Sequence, residues 1–417
     1  MIKKYLCTVS GFHKNVKLLL LRSFIICLYT GIYGILFNLY VLNLGYGADF
    51  LGLVLAAHVL ASSAMSIPAG ILCDRFDKRK LMIASGLLSM LAALPLYLFS
   101  SPWTLLLFSI LGGIFVSVSS VTLTPLLAEN CRKDDNVHVF SANASISWIA
   151  SVLGAALGGI MPGMWGLLVR MDGLQLTLLS SVVLLAMGFI VMLPLKEKEW
   201  PKCRCSTFSL KDFRLSPDIM KFTLTSLTFG VASGMIVPYF NVYFTRALNV
   251  GVFEVGIVSA IAGAIMILGF ITTPWMTARI GKVRSAVVTK IFSAPFLVLM
   301  ALTRSFLVAA FAYVAYMFFI NMAGPATTSF QMEQIKPKEQ GFAVGMMMTG
   351  NYVAISASTY MSGLLIAKGN YIMPFMVTCA AYLVTAVLLY YYFKDSERLE
   401  APVPIPRAAY AAILHLD

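Results

Sequence analysis

Charge is scarce in this sequence. Only 12% of its 417 residues are Asp, Glu, Lys or Arg, and 59% are hydrophobic, whereas soluble domains carry about 25% charged residues. That deficit excludes a water-soluble fold and leaves the bilayer as solvent for most of the chain. Acid is scarcer than base, with 18 Asp and Glu against 31 Lys and Arg. The acidic residues nearest the apolar runs, Asp49, Glu129, Glu254 and Glu333, all fall at run ends, so no carboxylate is expected at mid-membrane to bind a cation. Of four histidines only His58 lies inside an apolar run. The seven cysteines form no C-x2-C pair, which speaks against a zinc site. Cys203 and Cys205 share a basic loop assigned below to the cytoplasm, where thiols stay reduced. With neither a nucleophile and base nor a set of metal ligands, the chain is not expected to be an enzyme, and no cofactor or metal is expected. The net charge of +13 is spread over short loops and not gathered on one domain, which argues against a nucleic-acid partner.

What the sequence has in abundance is apolar length. Apolar segments fall near 18–44, 51–73, 81–100, 102–127, 139–162, 173–194, 219–245, 255–277, 285–302, 305–330, 341–366 and 371–393, each close to the roughly 20 residues that carry a helix across a hydrocarbon core of about 30 Å. Twelve transmembrane helices and an all-α membrane protein follow. The first run is too long for a signal-peptide core and reads as a retained span. The longest polar connection, Lys196 to Lys221, divides the spans six and six. The expected organisation is an N-terminal six-helix bundle over 1–195, a linker over 196–218, a C-terminal six-helix bundle over 219–393 and a tail over 394–417. Of the 31 Lys and Arg, only Arg170, Arg246, Arg304 and Lys368 fall on the side away from the termini. The positive-inside rule therefore places both termini in the cytoplasm of a multi-pass inner (plasma) membrane protein.

The halves repeat each other. Residues 31–40 and 234–243 both contain G-x5-F-N-x-Y, and Gly52 pairs with Gly256, Arg75 with Arg279 and Glu129 with Glu333 at an offset of 204. Parallel repeats of this kind imply two bundles related by an axis along the membrane normal, with a cavity between them.

The loop after the second span reads Gly70-Ile-Leu-Cys-Asp74-Arg75-Phe-Asp77-Lys78-Arg79-Lys80. It resembles G-x-L-x-D-R-x-G-R-[RK]-x, the signature loop of the major facilitator superfamily, with Asp77 in place of the usual glycine. The repeat partner of Asp77 is Gly281, in a weaker copy where Ala278 replaces the acid. The resemblance implies the major facilitator fold and a gating latch made of Asp74, Arg75, Glu129, Arg279 and Glu333. Asp74 would face the N-terminal end of helix 11 near Gly341. Arg75 would pair with Glu129, and Arg279 with Glu333, to hold the outward-open state. Ala150-Ser-Val-Leu-Gly154-Ala155-Ala-Leu-Gly158-Gly159 in span 5 is similar to a degraded antiporter motif of drug-exporting branches. Its Gly154, Gly158 and Gly159 equally suit close helix packing.

The resemblance also places helices 1, 4, 7 and 10 around the cavity. That makes Tyr33, Asn38, Tyr40, Tyr239, Asn241, Tyr243 and Asn321 candidates for substrate contact, with Asn38 and Asn241 foremost because an amide in hydrocarbon needs a partner. For Asn38 and Asn241 a hydrogen bond between the halves is the competing assignment. Arg22 lies near the cytoplasmic start of span 1, from where it could snorkel to the interface. His58 is the candidate for proton coupling, with a neutral structural histidine as the alternative. The expected function is secondary active transport of a small organic solute by alternating access, as proton-coupled efflux of a neutral or amphipathic compound. Sugar or metabolite uptake is the alternative within the fold, and a non-transporting membrane sensor the alternative outside it. The partners expected are a small-molecule substrate, protons and the lipid bilayer, with the chain working as a monomer.

Overall fold

A computed structural model describes residues 13–130, 136–168, 172–195, 216–335 and 340–394. Most of the linker and of the tail, including Cys203 and Cys205, lies outside them. The described residues are helical with short connections, and no strand occurs among them. The first half holds α1 (Lys14–Asn43), α2 (Ala48–Arg75), α3 (Lys78–Leu98), α4 (Pro102–Asn130), α5 (Asn136–Leu168) and α6 (Gly173–Ile190). The second holds α7 (Pro217–Ile236), α8 (Val252–Ile280), α9 (Lys282–Leu302), α10 (Phe306–Met322, continued by Gly324–Gln334), α11 (Gln340–Ala367) and α12 (Ile372–Phe393).

Helix starts are set by short polar groups that accept unpaired backbone N–H bonds. Asp77 Oδ1 accepts from Arg79 N at 2.8 Å and Lys80 N at 3.1 Å, and Asp172 Oδ1 accepts from Leu174 N at 3.0 Å. The signature loop is split for a physical reason. Asp77 adopts φ −61° and caps α3, whereas Gly281 stands at φ +88°, between α8 and α9, where a side chain is strained. Prolines 68, 95, 125, 162 and 295 sit inside helices, which neighbouring helices tolerate in a membrane.

Eleven helices among the described residues are long and apolar enough to cross a membrane. The twelfth expected span, α11, has 28 residues, ample length, but it falls short of that apolarity. Its Ser356, Ser358, Thr359 and Ser362 are buried against neighbouring helices instead of facing lipid. Span 7 is irregular beyond Ile236: a 3-10 turn at Val237–Tyr239 leads through Phe240–Val242 into a π turn at Tyr243–Ala247. A π turn inserts one residue. Here it accounts for the repeat offset changing from 203 at Phe37 and Phe240 to 204 at Gly52 and Gly256.

Packing follows the repeat. The contacts of α1 with α5 and α6, of α2 with α4, and of α3 with α4 and α6 recur six helices later as α7 with α11 and α12, α8 with α10, and α9 with α10 and α12. The halves meet through α2 on α11 and α5 on α8. At the end away from the termini an apolar cluster joins Leu36, Tyr40, Leu51 and Tyr97 to Tyr239, Val242 and Ile366 from the other half, and beside it the second half has a cluster of its own around Phe240, Tyr313 and Phe375. At the end nearer the termini each half has its own cluster, one around Leu19, Leu127 and Met192 and one around Phe222, Phe330 and Phe393. The far end is therefore closed by side chains shared between the halves, while the cores nearer the termini are separate.

Candidate functional site

Closure of the far end is built from amides. Asn38 Nδ2 donates to Asn241 Oδ1 at 3.1 Å and to the Pro238 carbonyl, and Asn241 Nδ2 returns a bond to the Ile35 carbonyl at 2.8 Å. Ser356 Oγ adds a bond to the Ala56 carbonyl at 2.8 Å. The Pro238 carbonyl that accepts from Asn38 lies in the 3-10 turn of span 7. Tyr239 is fully buried and donates to the Thr359 carbonyl at 2.9 Å. A Cβ on Gly52 would come within 2.7 Å of the Tyr239 hydroxyl and 3.0 Å of the Gly363 Cα. Glycine is required on α2 for α11 to approach this closely.

Glycines of span 5 serve the same end. A Cβ on Gly154 would lie 2.2 Å from the Leu28 carbonyl oxygen on α1, and one on Gly158 would lie 3.3 Å from the Ile32 Cα. A Cβ on Gly159 would meet the Gly256 Cα on α8 at 3.0 Å.

Two cavities lie between the far-end seal and the terminal end, one in each half. The larger, about 400 Å³, is lined from α1 by Arg22, Ser23, Ile26, Tyr29 and Tyr33, and from other helices by His58, Gly86, Val116, Ser119, Ser120, Leu123, Ser147 and Leu185, among others. The smaller, about 200 Å³, is lined by Thr225, Ser226, Phe229, Lys290, Ile320, Gly324, Thr327, Asn351 and Leu389, among others. They are repeat counterparts. Arg22, Ser23 and Ile26 correspond to Thr225, Ser226 and Phe229 at the offset of span 7, and Gly86, Val116, Ser120, Leu123, Ser147 and Leu185 correspond to Lys290, Ile320, Gly324, Thr327, Asn351 and Leu389 beyond it.

Each cavity holds one buried cation. Arg22 is 4% exposed and donates through Nη2 to Ser119 Oγ. It does not snorkel to the interface as expected, because eight helical residues separate it from the start of α1 and Ser119 offers an acceptor inside the bundle. Lys290 is 6% exposed, with Nζ 3.5 Å from the Ala286 carbonyl oxygen and 5.6 Å from the centre of the Phe229 ring. Sequence reasoning missed Lys290 by counting it with the loop-adjacent positive charges. Its place inside an otherwise apolar stretch, five residues beyond the expected start of that span, was the available signal.

The candidate substrate residues divide. Tyr33 lines the larger cavity, its ring stacked between Tyr29 at 6.1 Å and Phe37 at 4.7 Å. Asn38, Asn241 and Tyr239 belong to the far-end seal. Tyr40 and Tyr243 are buried and donate to main-chain carbonyls of their own halves, those of Tyr97 at 3.1 Å and Met300 at 2.5 Å. Asn321 donates within its own helix to the Met317 carbonyl at 2.9 Å. His58 lines the larger cavity, with Nδ1 2.9 Å from the Ser109 carbonyl oxygen. A carbonyl can only accept, so Nδ1 carries the hydrogen.

The expected latch has different partners in this conformation. Glu129 pairs with Lys78 at 2.5 Å and Glu333 with Lys282 at 2.7 Å, in place of Arg75 and Arg279. The two lysines are themselves repeat mates. As first residues of α3 and α9 they lie across from the carboxylates at the ends of α4 and span 10, whereas the Arg279 guanidinium lies over the Trp275 ring of its own helix at 4.1 Å. The Asp74 side chain lies outside the described part of the structure, and its expected approach to α11 near Gly341 lies there with it.

The sequence pattern of the Major Facilitator Superfamily matches residues 19–359. An uncharacterised MFS-type transporter of Methanocaldococcus jannaschii is 23% identical over 346 residues, which are 81% of this chain and 87% of that protein. Among solved structures, a point mutant of the nucleoside transporter NupG superposes with a TM-score of 0.77 at 15% identity, covering 91% of this chain and 100% of that one. A bacterial homologue of the iron transporter ferroportin in its inward-facing state superposes with a TM-score of 0.74 at 13% identity, covering 91% and 98%.

Proposed function

The chain belongs to the Major Facilitator Superfamily, and from that membership we propose that it is a secondary active transporter moving a small amphipathic organic solute out of the cytoplasm by alternating access. The observation that carries the reading is the asymmetry of closure. Two repeat-related sets of six helices share a sealed core at one end and keep separate cores at the other, with a cavity in each half. With the termini in the cytoplasm, this is the conformation that receives solute from inside the cell.

Switching reverses the asymmetry. The Asn38 and Asn241 seal opens, the terminal ends approach, and Glu129 and Glu333 exchange Lys78 and Lys282 for Arg75 and Arg279 as each bundle rocks. Asp74 completes that closed end against α11. His58, next to the solute, takes up or releases the counter-transported proton. The position of His58 on the wall of the larger cavity supports this role. The expectation of a neutral solute rested on the lack of a mid-membrane carboxylate and on Arg22 reaching the interface, and the burial of Arg22 and Lys290 removes the second premise.

Transport of a solute panel into inside-out proteoliposomes, with and without a pH gradient, tests the reading. Antiport predicts solute accumulation that collapses with the gradient. Accumulation that persists without it rejects proton coupling, and tight ligand binding with no movement of any bound solute rejects transport in favour of a sensor.

A further inference from the structure

We infer that the transported solute is an organic anion, and that the two halves recognise it through Arg22 and Lys290, one cation in each of the paired cavities. This rests on the transporter reading above and names its substrate class. Four observations carry it.

Both side chains are more than nine-tenths buried, and among the described residues neither forms a salt bridge. A membrane protein seldom keeps an intramembrane cation without a partner or a function, since the burial of unpaired charge costs several kcal/mol. Second, their existing contacts leave donors unused. Arg22 has five N–H donors and one described acceptor, Ser119, while the Lys290 ammonium has a long contact to its own helix and an aromatic face.

Third, the placement is symmetric although the residues are not. Each cation stands eight residues in from the terminal end of its helix, about 12 Å along the axis. One comes from α1 and the other from α9, with Thr225 and Gly86 at the corresponding positions of the opposite halves. Both cavities thus hold a single positive charge at similar depth, supplied by different helices. Fourth, apolar surface borders each charge. Ile26, Tyr29 and Tyr33 continue from Arg22 along one face of α1, and Phe229 and Ile320 flank Lys290. A carboxylate or phosphate monoester on an apolar body matches this combination: the acid group takes the free donors and the body covers the rings.

The same anionic group is found on lipid headgroups, and the experiment separates the two sources. The full-length protein is placed in phosphatidylcholine nanodiscs, and its thermal unfolding is followed against matched pairs, benzoate with benzamide and 2-naphthoate with 2-naphthamide, and against inorganic phosphate. An acid that stabilises at a concentration at least tenfold below its amide supports the inference. So does at least tenfold weaker binding of that acid in Arg22→Gln and in Lys290→Gln, with Lys290→Arg staying within threefold of the parent. Amides acting as well as acids, acid binding indifferent to both substitutions, or no effect of any acid or of phosphate overturns it. A stabilisation given by phosphatidylglycerol, with soluble acids unable to compete, assigns the cations to lipid and also overturns it. If the Gln variants do not fold, the acid-to-amide ratio of the parent protein decides. Movement of a neutral solute in vesicles, with no binding of acids, would reject the anion and leave the transporter reading standing.

Discussion

Asn38 and Asn241 show how far single residues could be read. Their need for partners in hydrocarbon is plain in the sequence, and the structure supplies those partners across the two halves. Whether a buried amide faces a solute or another amide depends on which conformation is populated, and no local pattern encodes that. Lys290 was harder to read for a different reason. A lysine near a helix end reads equally well as an interfacial anchor whose long stem reaches water, and only packing on every side reveals it as buried. Replacing Asn38 by Ala removes its bonds to Asn241 Oδ1 and to the Pro238 carbonyl, while Asn241 keeps the Ile35 carbonyl, at a cost of about 1–3 kcal/mol to the far-end seal. The expected result is faster maleimide labelling of a cysteine introduced at Gly34 beside the seal; unchanged labelling would contradict the assignment. Asp77→Ala removes the cap of α3 and is expected to lower stability by about 1 kcal/mol. Gly281→Ala forces a side chain to φ +88° and is expected to cost about 1–2 kcal/mol. Chemical unfolding in detergent checks both, and unchanged stability in either variant would refute the proposed reason for the split motif.

Element boundaries were the most legible feature. The apolar runs foretold most of the long helices to within a few residues, because a bilayer allows few alternatives to an uninterrupted helix, while α5 runs six residues past its expected end and the regular helix of span 7 stops at Ile236. Two departures had physical causes that the run lengths hid. Span 11 spends its length on serines and threonines that bond inside the bundle, and span 7 carries a π turn whose trace in the sequence is a single-residue change of repeat offset. The glycines of span 5 read equally as a degraded antiporter motif and as a packing stripe; Gly154 and Gly159 stand where any Cβ would strike backbone of α1 or α8. Gly154→Val is expected to destabilise the fold by at least the 1–3 kcal/mol typical of overpacking. Gly159→Val sits between the halves, so it is expected to impair transport more than folding. Comparing the melting temperature with the transport rate of the two variants checks this, and identical profiles would contradict it.

At the scale of the whole molecule, the duplication was visible as a repeat offset of 203 in the first span and 204 beyond it, and the helix contacts of one half recur in the other because repeated sequences repeat their contacts. The conformation was not visible: two states of one sequence differ by a few kcal/mol spread over many contacts. The lysine pairs illustrate the limit. Glu129 and Glu333 were expected as latch carboxylates paired with Arg75 and Arg279, and here they pair with Lys78 and Lys282 instead. Reversing one pair, Lys78→Glu with Glu129→Lys, is expected to preserve transport better than either single change; equal loss in all three would show that the pair carries no gating role.

Alternating access is the central claim, and paired distances test it most directly. Spin labels at Phe76 and Arg284 report the terminal end, and labels at Phe99 and Thr303 report the far end, in a chain whose seven native cysteines have been replaced. Electron–electron double resonance on each pair, with and without a transported solute, should show the two distances changing in opposite senses, with the terminal pair shortening as the far pair lengthens. Two distances that stay fixed, or that change together, would contradict the account.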